Sequence, residues 1–584
     1  MKQFQKVGLA AAVATVAAGT VAQPDSAVSR TETGDLAIIP YYTVLDGTNT
    51  GMHIINTTDS TQVVKVRLRR GTDSKDALDF NLVMSPRDEW TANIGPGGAN
   101  GVLVTTNDTT CTVPAFPEGG APMPDTYSVG ATEGYVEVIA MAETIDENQP
   151  IAIAAKHAAG VPADCAEVRQ NFYRVAAASA GADVGVRGVH TSNLTSNGGS
   201  CTAGVAATAA TNCAKTGAGN TSSFQDSDDN ALKVSFMLTD PAGGLEAGDN
   251  AVMVEGFAGA AMMTNQQPLS FGTDGLLNYD PLNFELPNLA NGAYPSSVAA
   301  RNAAMLSAGT NLGMTDGSMW TSFSDALDAD SISNDWAAFS TSDGTVHADW
   351  VVTLPGQYVM TNPICDTYGQ YSEANATAAA LCDPAGANSA AASGYVAVRN
   401  QLPLIVASNV DGGSLVEGSN MNLWDREELS LAGKESEKEP EDPDLGFSPG
   451  GSSGDPADPD VLVTLPNEVN VIAFGDADST TAVMSNLKLS VTPPATSDRG
   501  WGRLDIQSGA KVAPTLWNLT GTDDGDVASS LGISETGFTG NAAVAADDIA
   551  VVGFAIWQRS FAAQAGNYGR MIEHSTITST STSR

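Results

Sequence analysis

The chain has 584 residues, and 67 Asp and Glu against 27 Lys and Arg give it a formal net charge of −40. Such a surface repels nucleic acid and anionic lipid, which sets those partners aside. It suits simple solubility and salty water, where counterions screen self-repulsion, and it offers carboxylates to divalent cations.

Residues 1–22 carry Lys2 and Lys6 ahead of the short apolar run 7–18 and end on small residues at Thr20 and Ala22. This pattern reads as a secretory signal peptide cut after Ala22. A membrane anchor would need a longer run, less rich in Ala, and no later stretch approaches a spanning helix. The expected location is therefore outside the cytoplasm, at the cell surface or in the medium, with the periplasm as the alternative.

An N-terminal β domain is expected over residues 23–175. Strands at 36–45 and 52–56 flank the turn pair Asp46-Gly47. In residues 62–69, Val64, Val66 and Leu68 alternate with Lys65, Arg67 and Arg69. In residues 77–84, Leu78, Phe80, Leu82 and Met84 alternate with Ala77, Asp79, Asn81 and Val83. A period of two places one set against a core and the other in water, so both segments read as half-wet strands joined by the polar link 70–75. Further strands are expected at 134–141 and 150–155, and a short helix beginning at Asp164 carries Cys165.

Residues 176–225 are low in complexity and read as a long loop region. A second β-rich domain is expected over 226–432, with strands at 232–238, 251–257, 350–355, 394–398 and 402–407 and short helices at 297–307 and 371–381. Residues 433–460, dense in Pro, Gly and charge, read as an acidic linker. A C-terminal β segment, 461–574, carries strands at 461–465, 468–474, 487–491, 503–506 and 549–557, and the Ser/Thr-rich tail 575–584 is expected to be disordered. The fold class is mainly β: antiparallel β-sandwich-like units with a few short helices and long low-complexity loops.

The six cysteines, Cys111, Cys165, Cys201, Cys213, Cys365 and Cys382, all fall in the exported part and include no C-x-x-C spacing. An even number in an oxidising compartment favours disulfides over metal ligation. Fifteen pairings are possible. Sequential pairing, which clips local loops, is the simplest of them.

Catalytic signals are sparse. The five histidines form no H-E-x-x-H motif. Gly450-Gly451-Ser452-Ser453-Gly454 matches G-x-S-x-G in letters, but it lies in the Pro/Gly linker, without the strand and helix that make a nucleophile elbow. Calcium is the more credible chemistry. Asp226, Asp228 and Asn230 place oxygen ligands on alternate residues, and Asp523, Asp524 and Asp526 form a similar fragment. The first fragment has Ala231 and Met237 where an EF-hand needs its turn glycine and bidentate glutamate, so a solvated acidic turn is the competing reading of each. The strip Lys65, Arg67, Arg69 and Arg70 stands out in a chain so poor in cations. It reads either as cross-strand partners for Asp79 on a wet face or as a docking strip for an acidic patch on another copy.

Several stretches then look familiar together: the opening IIPYYTV and GMHIINTTDSTQVVKVRLRRGTDSKDALDFNLVMSPRDEWTA, then GYVEVIAM, HAAGVPADC, DWVVTLP, NLWDREE, NEVNVIAFG, GWGRLD, VVGFAIWQ and NYG. In their order and spread over most of the mature chain they resemble an uncharacterised family of β-rich exported proteins of Gram-negative bacteria, often labelled cell-surface proteins. One departure is Asn467, where relatives are expected to carry a cysteine. The resemblance implies location and architecture, and it supplies no catalytic residue. The expected function is an exported, non-enzymatic structural or interaction protein of the cell surface, of the kind that builds a layer, sheath or filament from copies of itself or joins other surface components. The alternative is a secreted or periplasmic ligand-binding protein or hydrolase.

Overall fold

The structure is a computed structural model that describes residues 26–72, 74, 76–98, 100–123, 130–170, 175–176, 183–184, 224–259, 262, 287–289, 318–356, 416–425, 461–465, 467–475, 482–493, 498–506, 515–518, 539–543, 550–561, 563 and 567–577. Strands hold 58% of the described residues and helices 7%, in several antiparallel sheets, as the alternating patterns require. No described helix is long and apolar enough to cross a membrane.

The first half is a sandwich of two sheets. One runs in the order Ala27–Val28, Val252–Glu255, Leu36–Thr43, Glu133–Thr144, Gln62–Arg70, Asp76–Met84 and Cys111–Val113, with Phe224–Gln225 paired to the end of Glu133–Thr144. The other runs Leu245–Asn250, Leu232–Asp240, Asn49–Asn56, Glu89–Pro96, Val102–Thr105 and Ala121–Pro122. Val64, Val66, Leu68, Phe80 and Leu82 of the first sheet share one buried cluster with Met52, Ile54, Trp90, Ile94 and Val234 of the second, and the Phe80 and Trp90 rings lie 5.6 Å apart. The hairpin register pairs Val66 with Phe80 and Arg67 with Asp79, as the two alternations demand.

The sheets cross the domain boundary drawn at residue 226. Leu232–Asp240 pairs with Asn49–Asn56, and Val252–Glu255 pairs with Leu36–Thr43, so the first strands assigned to a second domain complete the first sandwich. The second half is a ten-stranded sheet built from Val461–Leu465, Val416–Asp425, Arg499–Asp505, Ser331–Thr341, Gly344–Thr353, Val469–Phe474, Lys488–Val491, Val552–Phe561, Asn567–Glu573 and Ser575–Ile577. One pair in it is parallel, Val469–Phe474 with Lys488–Val491. The core is continuous across both halves: Trp336, Trp350 and Phe554 belong to the same cluster as Leu36 and Trp90. Polar contacts fasten the junction. Glu133 accepts from Tyr41 Oη (2.9 Å), Ser485 Oγ (2.6 Å) and the Asn486 amide (2.8 Å), and Thr353 Oγ1 donates to Pro40 O at 2.6 Å.

Three local expectations need correction. Residues 150–155 form a helix, Pro150–Ala155, not a returning strand. Proline is tolerated in a helix's first turn, and Ile151, Ala154 and Ala155 bury one side against Val63, Val83 and Val168. Ser575–Ile577, assigned to a disordered tail, pairs with Ser331, Ile332 and Ser333. The third concerns the cationic strip and is taken up below. The helix expected from Asp164 is present as Cys165–Gln170, with Asp164 Oδ1 accepting the Glu167 amide at 2.9 Å in the manner of an N-cap. The helices and strands expected between 290 and 315 and between 357 and 415, and the linker 433–460, lie outside the described residues.

Cys111 and Cys165 are bonded, with Cα atoms 5.2 Å apart, as sequential pairing expected for that couple. The other four cysteines lie outside the described residues. The bridge ties the small helical lobe to the sheet edge and closes a loop with a sequence separation of 54. Replacing both cysteines by serine should therefore cost about 2–4 kcal/mol. Chemical denaturation would read this as a lower midpoint, with a slope equal or steeper because the unbridged denatured chain is less compact, and an unshifted midpoint would remove the bridge from the list of stabilising features.

Candidate functional site

The cationic strip is not a surface. Lys65 and Arg67 are 0% exposed and Arg69 is 1% exposed. Their face of the sheet is covered by the helical lobe at one end and by residues 287–289 at the other, where Arg67 Nη1 donates to Pro287 O at 3.0 Å. The register puts Arg67 directly between Asp79 and Glu137. Lys65 Nζ lies 3.5 Å from Asp79 Oδ1, Arg67 Nη2 lies 3.6 Å from Asp79 Oδ2, and Arg69 reaches both oxygens of Glu137 at 3.3 and 3.4 Å. Tyr135 Oη donates to the same Glu137 at 3.0 Å. The alternation is present in the structure but its polar side is dry, because the cover comes from residues remote in sequence. Of the two readings, cross-strand pairing with Asp79 is what the geometry shows, and a docking strip cannot be built from side chains already buried. Arg70, at the strand end, is only partly buried.

The calcium fragments do not assemble where they can be followed. Thr33 Oγ1 and Thr31 Oγ1 donate to Asn230 Oδ1 at 2.8 and 3.3 Å, so that oxygen already accepts two hydrogen bonds. Burial, and then the neighbouring Asp229, push Asp226 up to about 6. Among the described residues no three His, Cys, Asp or Glu groups converge as a metal ion would require. Asp523, Asp524 and Asp526 lie outside the described residues.

A convergent His, Ser and Asp group does exist. His157 Nδ1 lies 3.2 Å from Ser85 Oγ and 3.7 Å from Asp88 Oδ2, while Nε2 lies 3.3 Å from Thr109 Oγ1. A nucleophilic relay needs the hydroxyl on one ring nitrogen and the carboxylate on the other. Ser85 and Asp88 share one nitrogen, and the Thr109 hydroxyl on the other donates to Gly160 O at 3.0 Å. Asp88 in turn accepts the Ser85 amide at 3.1 Å. This is a clasp holding the hairpin at residues 157–162 beside the disulfide. A crevice of about 180 Å³ between the halves is lined by Glu32, Asp249 and Glu573 with Phe236 and Phe554. Burial raises Asp249 and Glu573, and the Asp249 charge adds to the shift of Glu573. Lys233 is bound to Glu32 at 3.0 Å, and no histidine lines this crevice.

The open chemistry lies on the ten-stranded sheet. Arg499–Asp505 alternates Arg499, Trp501, Arg503 and Asp505 on one side with Gly500, Gly502 and Leu504 on the other. Gly502 is small for a reason: a Cβ there would meet Leu423 Cδ2 at 2.9 Å and the Trp350 ring at 3.1 Å. Trp350 fills that inner space and donates from Nε1 to Asp335 O at 2.8 Å. Trp501 therefore stands outward, 41% exposed. Its register partners are Trp424 on one neighbouring strand and Asp335, exposed, on the other. The Trp424 and Trp501 rings stack with centroids 4.0 Å apart and planes 11° from parallel. The next row along the same face is Asn422, Arg503 and Ser333, and on the other side Arg499 lies over the Phe339 ring at 5.0 Å. Arg503 is paired with Asp505 at 2.6 Å and Arg499 with Asp498 at 3.5 Å.

Sequence reasoning placed a strand at 503–506 and missed this face. The available signal was the tryptophan between two glycines in Gly500-Trp501-Gly502-Arg503, an alternation of nothing against something large. Compared with protein-family models, with curated proteins and with solved structures, the chain gives no match in any of the three.

Proposed function

We propose that the protein is exported and works at the cell surface by binding, without catalysis, and that the face around Trp501 is where it binds. The observation that carries this reading is the exposed Trp501, stacked on the half-buried Trp424 and set among Arg503, Asn422, Ser333 and Asp335. Single exposed apolar side chains are ordinary on a protein surface, but a stacked tryptophan pair beside ion-paired arginines is a costly arrangement to leave in water. Trp and Arg are also the residues that dominate binding surfaces. The Cys111–Cys165 bridge supports an oxidising compartment, in keeping with the export pattern of residues 1–22. The hydrolase alternative loses its best candidate with the His157 clasp.

The reading is tested by sedimenting isolated envelopes of the producing cells with purified wild-type or Trp501→Ala protein. The wild type should pellet with the envelopes and the variant should stay at least about fivefold more in the supernatant, while remaining folded with a cooperative melt lowered only by the lost stacking on Trp424, about 1 kcal/mol. Equal sedimentation of the two would count against this face as the binding surface.

A further inference from the structure

Resting on that reading, we infer that the Trp501 face takes a neutral polysaccharide, a chain of pyranose rings laid along the strand direction from the Trp501 row to the Arg503 row. Three features of the face select this occupant.

The first is the kind of apolar surface present. Around Trp501 it is made of aromatic ring faces, Trp501, Trp424 and Phe339, and the exposed aliphatic Ile577 lies two rows away, in register with Ser331 and Asp505. The side chains in line with them, Asp335, Ser333, Arg503 and Asn422, are polar. A protein partner excludes water with a closed patch of well-packed side chains rimmed by polar groups, and no large aliphatic side chain lies among these four. A sugar ring asks for the opposite mixture. Its C–H bonds, polarised by the attached oxygens, meet the negative face of an indole, while its hydroxyls need donors and acceptors beside that ring. Because Trp424 covers one side of the Trp501 ring, the side turned towards Asp335 is the one left for a sugar.

The second feature is charge. Both arginines of the face are already matched, Arg503 by Asp505 and Arg499 by Asp498. There is no local surplus of positive charge to recruit a uronate or sulfated polymer. The whole chain, at −40, opposes any polyanion. Paired in this way, the arginines and carboxylates serve as fixed hydrogen-bonding groups for neighbouring hydroxyls.

The third feature is spacing. Residues two apart on a strand are separated by roughly 7 Å, and adjacent strands lie about 4.8 Å apart. The Trp501 row and the Arg503 row can therefore engage successive sugar units of one extended chain. An isolated monosaccharide would reach only one of them.

The test uses the full chain with cellohexaose and laminarihexaose as neutral probes and alginate as the anionic one, followed by tryptophan fluorescence and calorimetry. At least one neutral hexasaccharide is expected to bind saturably, Trp501→Ala to weaken it about tenfold or more, and Trp501→Tyr to keep most of the affinity, since a ring face remains. Alginate should not bind. Failure of both neutral probes, preference for alginate, or full binding by Trp501→Ala would each overturn the inference. Light scattering that shows a wild-type dimer lost in Trp501→Ala would overturn it too, by making the face an interface between copies. If envelope retention depends on Trp501 while neither hexasaccharide binds, the glycan falls and the binding reading stands; if neither result depends on Trp501, both fall.

Discussion

Glu137→Leu should cost about 3–5 kcal/mol of stability, the scale on which breaking a buried ion pair leaves uncompensated charge behind. The carboxylate is 0% exposed, takes Arg69 on both oxygens, accepts from Tyr135 and stands opposite Arg67 in the strand register. Removing it strands guanidinium charge in a place water does not reach. The double variant Arg69→Met with Glu137→Leu should recover a large part of that loss, because an apolar pair of similar volume often replaces a buried ion pair at little cost. Denaturant titration followed by circular dichroism would measure both. A single-variant cost below about 1 kcal/mol is what an exposed pair gives, and it would return these strands to the half-wet form that the alternation suggested. The same burial means that reversing charge at Arg67 or Arg69 should cost the fold, where a wet strip would have tolerated the change.

The contrast between these outcomes shows what the sequence made legible. The positions of Gln62–Arg70 and Asp76–Met84 and the faces their residues share follow from period two, but the shift of register between Leu68 and Arg69 does not. What covers the polar side does not, because Pro287, Phe224 and the disulfide lobe reach it from far along the chain. Leu232–Asp240 poses the same difficulty. Its alternation announces a strand, but nothing local announces that its partner is Asn49–Asn56. Pro150–Ala155 is too short for periodicity to decide between strand and helix, and the burial of Ile151 decides it. The acidic fragment at 226–230 was legible as composition, but the hydrogen bonds that Thr31 and Thr33 make to Asn230 come from residues remote in sequence. In the candidate binding face the glycines at 500 and 502 frame Trp501 in the sequence, but only the placement of Trp350 behind Gly502 shows that Trp501 must point out.

Acidification from pH 8 to pH 5 should stabilise the protein, against the habit of carboxylate-rich chains. Two carboxyls drive this. Asp35 is fully buried and accepts the Phe257 and Ala258 amides at 3.0 and 2.8 Å; Asp349, 1% exposed, accepts the Val483 amide at 3.0 Å. Burial outweighs those bonds and pushes each up to about 7 from the usual 3.8. A group whose folded value is raised holds its proton more tightly in the folded state, so its contribution is complete below the unfolded value and is lost as the pH climbs through 7. His574 works the other way. Buried, with Nε2 on Val351 O at 3.0 Å and Nδ1 on Asn334 Nδ2 at 3.0 Å, it is pushed down to about 4 from 6.5, so its contribution is lost as the pH falls below 6.5. Each pH unit over which the folded state holds one extra proton is worth about 1.4 kcal/mol. Two carboxyls from pH 7 to 5, less one imidazole from pH 6.5 to 5, leave a gain of about 3 kcal/mol. Falling net negative charge acts in the same direction. Denaturant midpoints at constant ionic strength would show the rise, and Asp349→Asn, which cannot ionise, should flatten much of it. A protein most stable at pH 8, or an Asp349→Asn profile as steep as the wild type, would mean that these carboxyls are ionised in the fold and that water or a cation reaches them there.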